Sequence, residues 1–188
     1  MDILAHGLWT AAGAKAINEK ILLHGKDKKP LNVYWAAFWG VFPDLFAFGI
    51  PFIWTLYNLA TGNMSISDWP RPAHDLEPVP YTNLQPLQLA ASLYTISHSL
   101  VVFICVFGFI AIVRRKPPRE LFGWLLHIAI DIPTHSYKFF PTPILWPIST
   151  WKFLYGISWG HWWFQLINYS AITIVYILLW RKKIDFSQ

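Results

Sequence analysis

Six ionisable side chains lie within hydrophobic parts of the sequence, each flanked by Leu, Ile, Phe or Trp. Placing an Asp at the centre of a membrane-spanning helix costs roughly 2.5–3.5 kcal/mol on insertion scales, so such residues usually have a function. Imidazole and carboxylate groups are also ligands for zinc and other divalent metals. The pattern predicts a metal site inside a membrane-embedded helical bundle. The six residues are His6, Asp44, His98, His127, Asp131 and His135.

Local spacing places several of these residues on shared helical faces. His127 and Asp131 are four residues apart, and Asp131 and His135 repeat the interval. Residues at this spacing project from one side of a helix. Asp2 also precedes His6 by four residues, so we expect Asp2 to accept a hydrogen bond from the ring of His6 and orient it.

The composition indicates a single integral membrane domain over residues 1–188. Hydrophobic residues make up 55% of the chain and charged residues only 13%, against about 25% in a soluble domain. The 12 Trp and 14 Phe residues suit lipid contact and interfacial belts. Cys105 is the only cysteine, which excludes an intramolecular disulfide and a CxxC metal motif. The net charge is +5, and the lysines and arginines cluster beside hydrophobic segments. This distribution is typical of a membrane protein and does not indicate nucleic-acid binding.

The hydrophobic segments predict an all-α, polytopic membrane bundle of about four spanning helices. Ile3–Ile17 predicts a short N-terminal helix that cannot span alone. Because it lacks a basic n-region, we do not expect a cleaved signal peptide. Phe139–Gly160 alternates Pro, Trp and Gly, so we expect an irregular, Trp-rich interfacial segment there. The predicted spans are Val33–Ala60, Leu87–Val113, Glu120 to about Tyr137, and His161–Trp180.

The positive-inside rule gives these spans one consistent orientation. The basic segments Lys20–Lys29, Arg114–Arg119 and Arg181–Lys183 are predicted to be cytoplasmic. Thr61–Pro86 and Phe139–Gly160 are predicted to face the other side.

This orientation gives five of the six ionisable residues a common depth. At 1.5 Å per residue, His6, Asp44, His98, His127 and Asp131 lie roughly 12–18 Å from the predicted edges of their segments. The hydrocarbon layer is about 30 Å thick, so all five fall in its centre. Because they come from four separate segments, their shared depth favours one common site.

Other interpretations of the same residues stay open. His98 could be a hydrogen-bonded interhelical histidine, and Asp44 could cap a helix or form a structural ion pair with His98. His127 and Asp131 could form a proton relay. Two of the histidines could instead hold a haem or chlorophyll, although such sites do not require carboxylates at the same depth.

Short motifs in a fixed order resemble those of a known membrane family. They are Ala5-His6-Gly7, Gly40–Asp44, Ser97–Leu100 and His127–Asp131, followed by Trp146-Pro147. Over residues 1 to about 147 the chain resembles the LexA-regulated, YdjM-like proteins of the bacterial inner membrane, which are classed as metal-dependent hydrolases. That family is distantly similar to the zinc-dependent phospholipase C and P1 nuclease superfamily.

The resemblance implies hydrolysis at a divalent metal, with zinc as the expected ion. His135, or a carboxylate left free such as Asp131, would be the general base for an attacking water. A substrate that reaches the middle of the membrane is expected to be a lipid ester or phosphoester. The expected metal ligands are His6, Asp44, His98, His127 and Asp131.

The chain departs from the family pattern at two places. Leu45-Phe46 follows Asp44 where the family has a second Asp, and Leu93-Tyr94 replaces a His-Arg pair. The smaller ligand set implies either fewer metal ions or a site without catalysis. The alternative function is therefore a non-catalytic accessory or structural subunit with protein partners in the membrane. A third candidate function is that of a small proton or metal-ion transporter, although the sequence shows no apparent inverted repeat, which disfavours it.

Overall fold

The protein is all-helical in the part that the structure describes, which confirms the predicted fold class. The computed structural model describes residues 1–24, 29–66, 85–116, 118–136 and 140–185. These ranges contain six α-helices and no β-strand. The helices are α1 (Ile3–His24), α2 (Val33–Ala60), α3 (Gln85–Ser97), α4 (Leu100–Arg114), α5 (Phe122–Thr134) and α6 (Trp162–Asp185).

Two of these helices are long and apolar enough to cross a membrane. They are α2 and the part of α6 from Trp162 to Trp180. The helices α3 and α4 supply a third span only if the bent pair counts as one. The described residues therefore provide two or three spans, fewer than the four predicted. Most of the predicted outer segment Thr61–Pro86 lies outside the described residues.

The helix predicted over Leu87–Val113 is not continuous, because the chain bends by 59° between α3 and α4. Ser99 has an extended backbone at this break, and its Oγ accepts hydrogen bonds from the first amides of α4 at 3.1 and 3.2 Å. A side-chain oxygen at this position satisfies amides that the helix itself leaves unpaired. Ser99 therefore starts a new helix beside His98.

The predicted span from Glu120 to about Tyr137 is also shorter than expected. It forms the 13-residue α5, which is about 20 Å long at 1.5 Å per residue and falls short of a bilayer core. His135 follows the last helical residue with an extended backbone. In contrast, α1 continues to His24 instead of ending near Ile17.

Small residues let α1, α2 and α5 approach closely. A methyl group on Gly40 of α2 would overlap the side chain of Thr10 on α1. A methyl group on Gly123 of α5 would lie 2.5 Å from the carbonyl oxygen of Ala36 and 2.9 Å from Thr10 Cγ2. Small residues allow close backbone contact of this kind between membrane helices.

Two basic segments meet at one end of the bundle. The Asn32 amide donates to Glu120 Oε1 at 2.9 Å, and the Arg119 guanidinium donates to the Lys29 carbonyl. The start of α2 and the turn before α5 are therefore neighbours, as expected if both basic segments face the same side.

The last helix, α6, runs parallel to α1. Near its start, the Tyr169 hydroxyl donates to Asp2 Oδ1 at 2.8 Å. Two turns later, the Tyr176 hydroxyl donates to the Leu8 carbonyl at 3.1 Å. Its carboxyl end therefore points to the same end of the bundle as that of α1, which agrees with the predicted orientation of the basic tail.

An irregular segment, residues 140–161, covers the opposite ends of the shorter helices. The Ile157 and Trp159 amides donate to the carbonyls of Pro133 and Thr134 at 2.8 and 3.1 Å. The Leu100 amide donates to the Ile144 carbonyl at 2.9 Å. This segment is non-helical, as predicted, and it satisfies backbone groups at the end of α5 and the start of α4. Its role as an interfacial belt stays a prediction.

Candidate metal centre

The structure brings the six ionisable residues together in the interior of the bundle. They come from α1, α2, the break between α3 and α4, α5, and the residue that directly follows α5. All six side chains are buried, and four of them have no exposed surface. These four are His6, His98, His127 and Asp131.

Asp131 lies between two pairs of histidines. Its Oδ2 lies 3.3 Å from His98 Nε2 and 3.2 Å from His127 Nε2. Its Oδ1 lies 2.9 Å from His6 Nε2 and 3.3 Å from His135 Nε2. The i, i+4 spacing predicted from the sequence thus places His127 and His135 on either side of one carboxylate.

Four of the residues form a group with the dimensions of a metal site. Asp44, His98, His127 and Asp131 each offer one ligand atom, and these atoms lie within 4.8 Å of one another. Asp44 Oδ1 lies 3.5 Å from His98 Nε2 and 3.8 Å from His127 Nε2. Four ligands in a tetrahedron around zinc, with bonds of about 2.0–2.1 Å, lie about 3.3 Å apart. The donor set and its spacing therefore fit a divalent ion.

The two histidines of this group are held by their outer ring nitrogens. His127 Nδ1 lies 2.6 Å from the Gly40 carbonyl oxygen. His98 Nδ1 lies 3.2 Å from the Tyr94 carbonyl oxygen and 2.9 Å from Ser97 Oγ. A carbonyl oxygen only accepts, so we assign the ring proton to Nδ1 and the lone pair to Nε2. Histidines that bind metals are commonly oriented in this way.

This assignment leaves four acceptors facing one another. The Nε2 atoms of His98 and His127 are 3.0 Å apart, with carboxylate oxygens of Asp44 and Asp131 beside them. Neutral rings with this tautomer offer no proton between the two nitrogens. Lone pairs and negative charge this close, away from water, require a cation among them, either a proton or a metal ion.

The other side of Asp131 is arranged differently. His135 Nδ1 lies 2.8 Å from the Phe140 carbonyl oxygen, which orients its Nε2 towards Asp131. The amino group of Met1 lies 2.5 Å from Asp131 Oδ1. The ring of His6 stacks on that of His127, with centroids 3.6 Å apart. His6 therefore contacts the four-residue group without belonging to it.

The prediction that Asp2 orients His6 is wrong. Asp2 Oδ1 accepts hydrogen bonds from the Ala5 amide at 3.0 Å and the Tyr169 hydroxyl at 2.8 Å. Asp2 precedes the first residue of α1, so its side chain caps the start of the helix. In that position it does not project from the same face of α1 as His6.

Tyr94 is a contact of the site that sequence reasoning missed. Its ring stacks on that of His98 at 3.7 Å, and its hydroxyl donates to the Phe140 carbonyl at 2.9 Å. The hydroxyl also lies 3.2 Å from His135 Nδ1. The four-residue interval between Tyr94 and His98 was the available signal, since it places both on one face of α3.

No family model, curated protein or solved structure matches the chain. The assignment to the YdjM-like family therefore stays a prediction from short motifs.

Proposed function

We propose that the protein is a membrane-embedded metalloprotein that binds a divalent ion, with zinc expected, through Asp44, His98, His127 and Asp131. The observation that carries this proposal is the meeting of the two Nε2 atoms, 3.0 Å apart, with both outer nitrogens held by neighbouring oxygens. Two membrane-length helices support the location in a membrane, and the motif resemblance favours the bacterial inner membrane.

The chemistry that we propose for this centre is hydrolysis of a lipid ester or phosphoester. A divalent ion would polarise a carbonyl or phosphoryl oxygen and make a water molecule more acidic. His135 is the proposed general base because its Nδ1 lies 2.8 Å from the Phe140 carbonyl oxygen, which assigns the ring proton to Nδ1 and the lone pair to Nε2. That Nε2 lies 2.9 Å from the amino group of Met1, so the attacking water would have to replace this contact. Asp131 lies 3.3 Å from that Nε2 and would stabilise the protonated ring.

His6 is proposed to support this centre from the other face of Asp131. Its Nε2 lies 2.9 Å from Oδ1, the oxygen that does not face His98. His6 would thereby fix the carboxylate in the orientation that presents Oδ2 to the ion.

Elemental analysis of protein purified in mild detergent tests metal binding. We expect a stoichiometric divalent ion in the wild type and its loss in His98→Ala. His161→Ala is the matched control, because His161 is a histidine outside the four-residue group, and it should retain the ion. Wild-type protein without stoichiometric metal would contradict the proposal.

A panel of lipid esters and phosphoesters then tests hydrolysis. We expect metal-dependent product release by the wild type, with loss of product in His135→Ala while the ion is retained. Release that persists at the wild-type rate in His98→Ala would show that another site is responsible.

A non-catalytic accessory role is the second candidate. The complete burial of His6, His98, His127 and Asp131 favours it, since a substrate must reach the ion. Retained metal with no product from any lipid, together with a stable partner in a mild-detergent pull-down, would support this role over hydrolysis.

A further inference from the structure

A second feature of the bundle is a cavity of about 500 Å³ that lies between α1, α5 and α6 and opens to the outside of the bundle. Its walls are mostly apolar and include Leu126 and Ile130 of α5 and Phe164 and Val175 of α6. Gly13 of α1 faces this space, and a methyl group there would lie 3.8 Å from Leu126, an ordinary contact distance. Ligand pockets in proteins have volumes of about 300–1,000 Å³ and linings of this kind.

One polar side chain in this cavity lacks a hydrogen-bond acceptor. Asn168 is only 7% exposed, and its Oδ1 accepts a hydrogen bond from Trp9 Nε1 at 2.8 Å. This contact fixes the amide orientation, so Nδ2 is the group that remains. Nδ2 is buried without a partner among the described residues. A buried donor left unpaired destabilises the folded protein, which favours a ligand that carries an acceptor.

The surroundings of the cavity identify the chemical class of that ligand. Its α6 wall belongs to a candidate membrane span, and the neighbouring outward residues Ile167 and Ile174 are 62% and 57% exposed. A helix with such an outer face borders lipid chains when it spans a bilayer. The ligand must therefore be mainly hydrocarbon and carry one hydrogen-bond acceptor.

We propose that this cavity binds one acyl chain of a membrane lipid, whose ester carbonyl accepts a hydrogen bond from Asn168 Nδ2. The hydrocarbon fills the apolar space and the carbonyl pairs the buried amide. This binding does not require hydrolysis. Thr134 lines the same cavity and lies three residues from Asp131, so the bound ester would be near the metal centre.

Photo-crosslinking in nanodiscs tests whether the cavity holds a chain. The probe is a phosphatidylglycerol with a diazirine on one acyl chain, and the labelled peptides are identified by mass spectrometry. We expect enriched labelling of the α1 peptide that contains Gly13. Val175→Trp, which fills the cavity, should remove this enrichment, whereas Ile174→Trp on the outer face should keep it. Equal labelling in wild type and Val175→Trp would overturn the proposal.

Competition between ester- and ether-linked lipids tests the role of Asn168. An ether lipid has no carbonyl, so in the wild type it should compete about two- to tenfold less well than the ester lipid, the range of one net hydrogen bond. Asn168→Leu should remove this difference, and Asn58→Leu, near the end of α2 and outside the lining of the cavity, should preserve it. Equal competition in the wild type would overturn the assignment to an ester. Since both assays measure binding, an inactive metal centre would not affect their outcome.

Discussion

The two oxygens of Asp131 face surroundings of opposite character. Oδ2 meets His98 and His127, whose outer nitrogens are held by neighbouring oxygens and whose inner nitrogens are therefore acceptors. Oδ1 accepts a hydrogen bond from the amino group of Met1 at 2.5 Å and lies 2.9 Å from His6 Nε2. The protein thus supplies a hydrogen-bond donor to Oδ1, whereas Oδ2 is surrounded only by acceptors. The difference indicates on which side of Asp131 a cation, either a proton or a metal ion, is needed.

The largest expected effect comes from Asp131→Asn, which removes the charge shared by both sides. We expect complete loss of metal and a destabilisation of about 3–5 kcal/mol, the usual cost of breaking a buried ionic network. Elemental analysis and thermal unfolding in detergent would measure both. Retained metal in this variant would show that Asp131 does not hold the ion.

A pair of histidine variants separates the two sides. His127→Ala should abolish metal binding, because it removes a ligand from the acceptor side. His6→Ala should weaken affinity by about 10–100-fold, as expected for loss of an orienting partner. Competition with a chelator of known affinity measures both values. Complete loss of metal in His6→Ala would show that His6 is a ligand, as the sequence predicted. It would also contradict the difference between the two sides of Asp131.

The acceptor side also depends on the close contact between α1 and α2. Gly40→Ala should destabilise the protein by about 1–3 kcal/mol, because the added methyl group overlaps Thr10 and shifts the carbonyl that holds His127. Gly49→Ala on the same helix is the control, since a methyl group there meets nothing within 4 Å. It should raise stability by about 0.5–1 kcal/mol. Equal unfolding temperatures for the two variants would contradict the packing argument.

The smallest expected effect is that of Tyr94→Phe. It removes the hydroxyl that donates to Phe140 but keeps the ring that stacks on His98. Stability should fall by about 0.5–1.5 kcal/mol, with metal content unchanged. Thermal unfolding and elemental analysis would check this. A loss of metal would mean that the Tyr94 hydroxyl supports both sides of Asp131.

The gathering of the ionisable residues was predictable because burying them separately is costly. Four-residue spacing within α5 and a common depth between segments were sufficient to place His127, Asp131 and His135 in one region with the others. Their roles as ligands and base stay predictions. The division between the two oxygens of Asp131 was not predictable, because it depends on side-chain contacts between helices distant in sequence.

Hydropathy predicted more spans than the described residues contain, because it takes no account of hydrogen bonds that cap and end a helix. Leu87–Val113 is apolar enough overall to be one helix, yet Ser99 offers the backbone a competing hydrogen bond and starts α4. The helix α5 ends at Thr134 because the carbonyls of Pro133 and Thr134 are taken by residues 157 and 159. Hydrogen bonds of this kind, between segments distant in sequence, end helices that the local sequence alone would continue.

Contacts at the end of α5 and the start of α1 also have a consequence for the order in which the protein folds during synthesis. The end of α5 is paired by residues about 25 positions later, and the start of α1 is held by Tyr169 on α6. A ribosome delivers these partners last, whereas His6 and Asp44 emerge first. We therefore expect the ends of α1 and α5 to be fixed only after α6 has been synthesised. Until then, we expect the histidines and carboxylates of the emerging chain to contact water or the proteins that insert helices into the membrane.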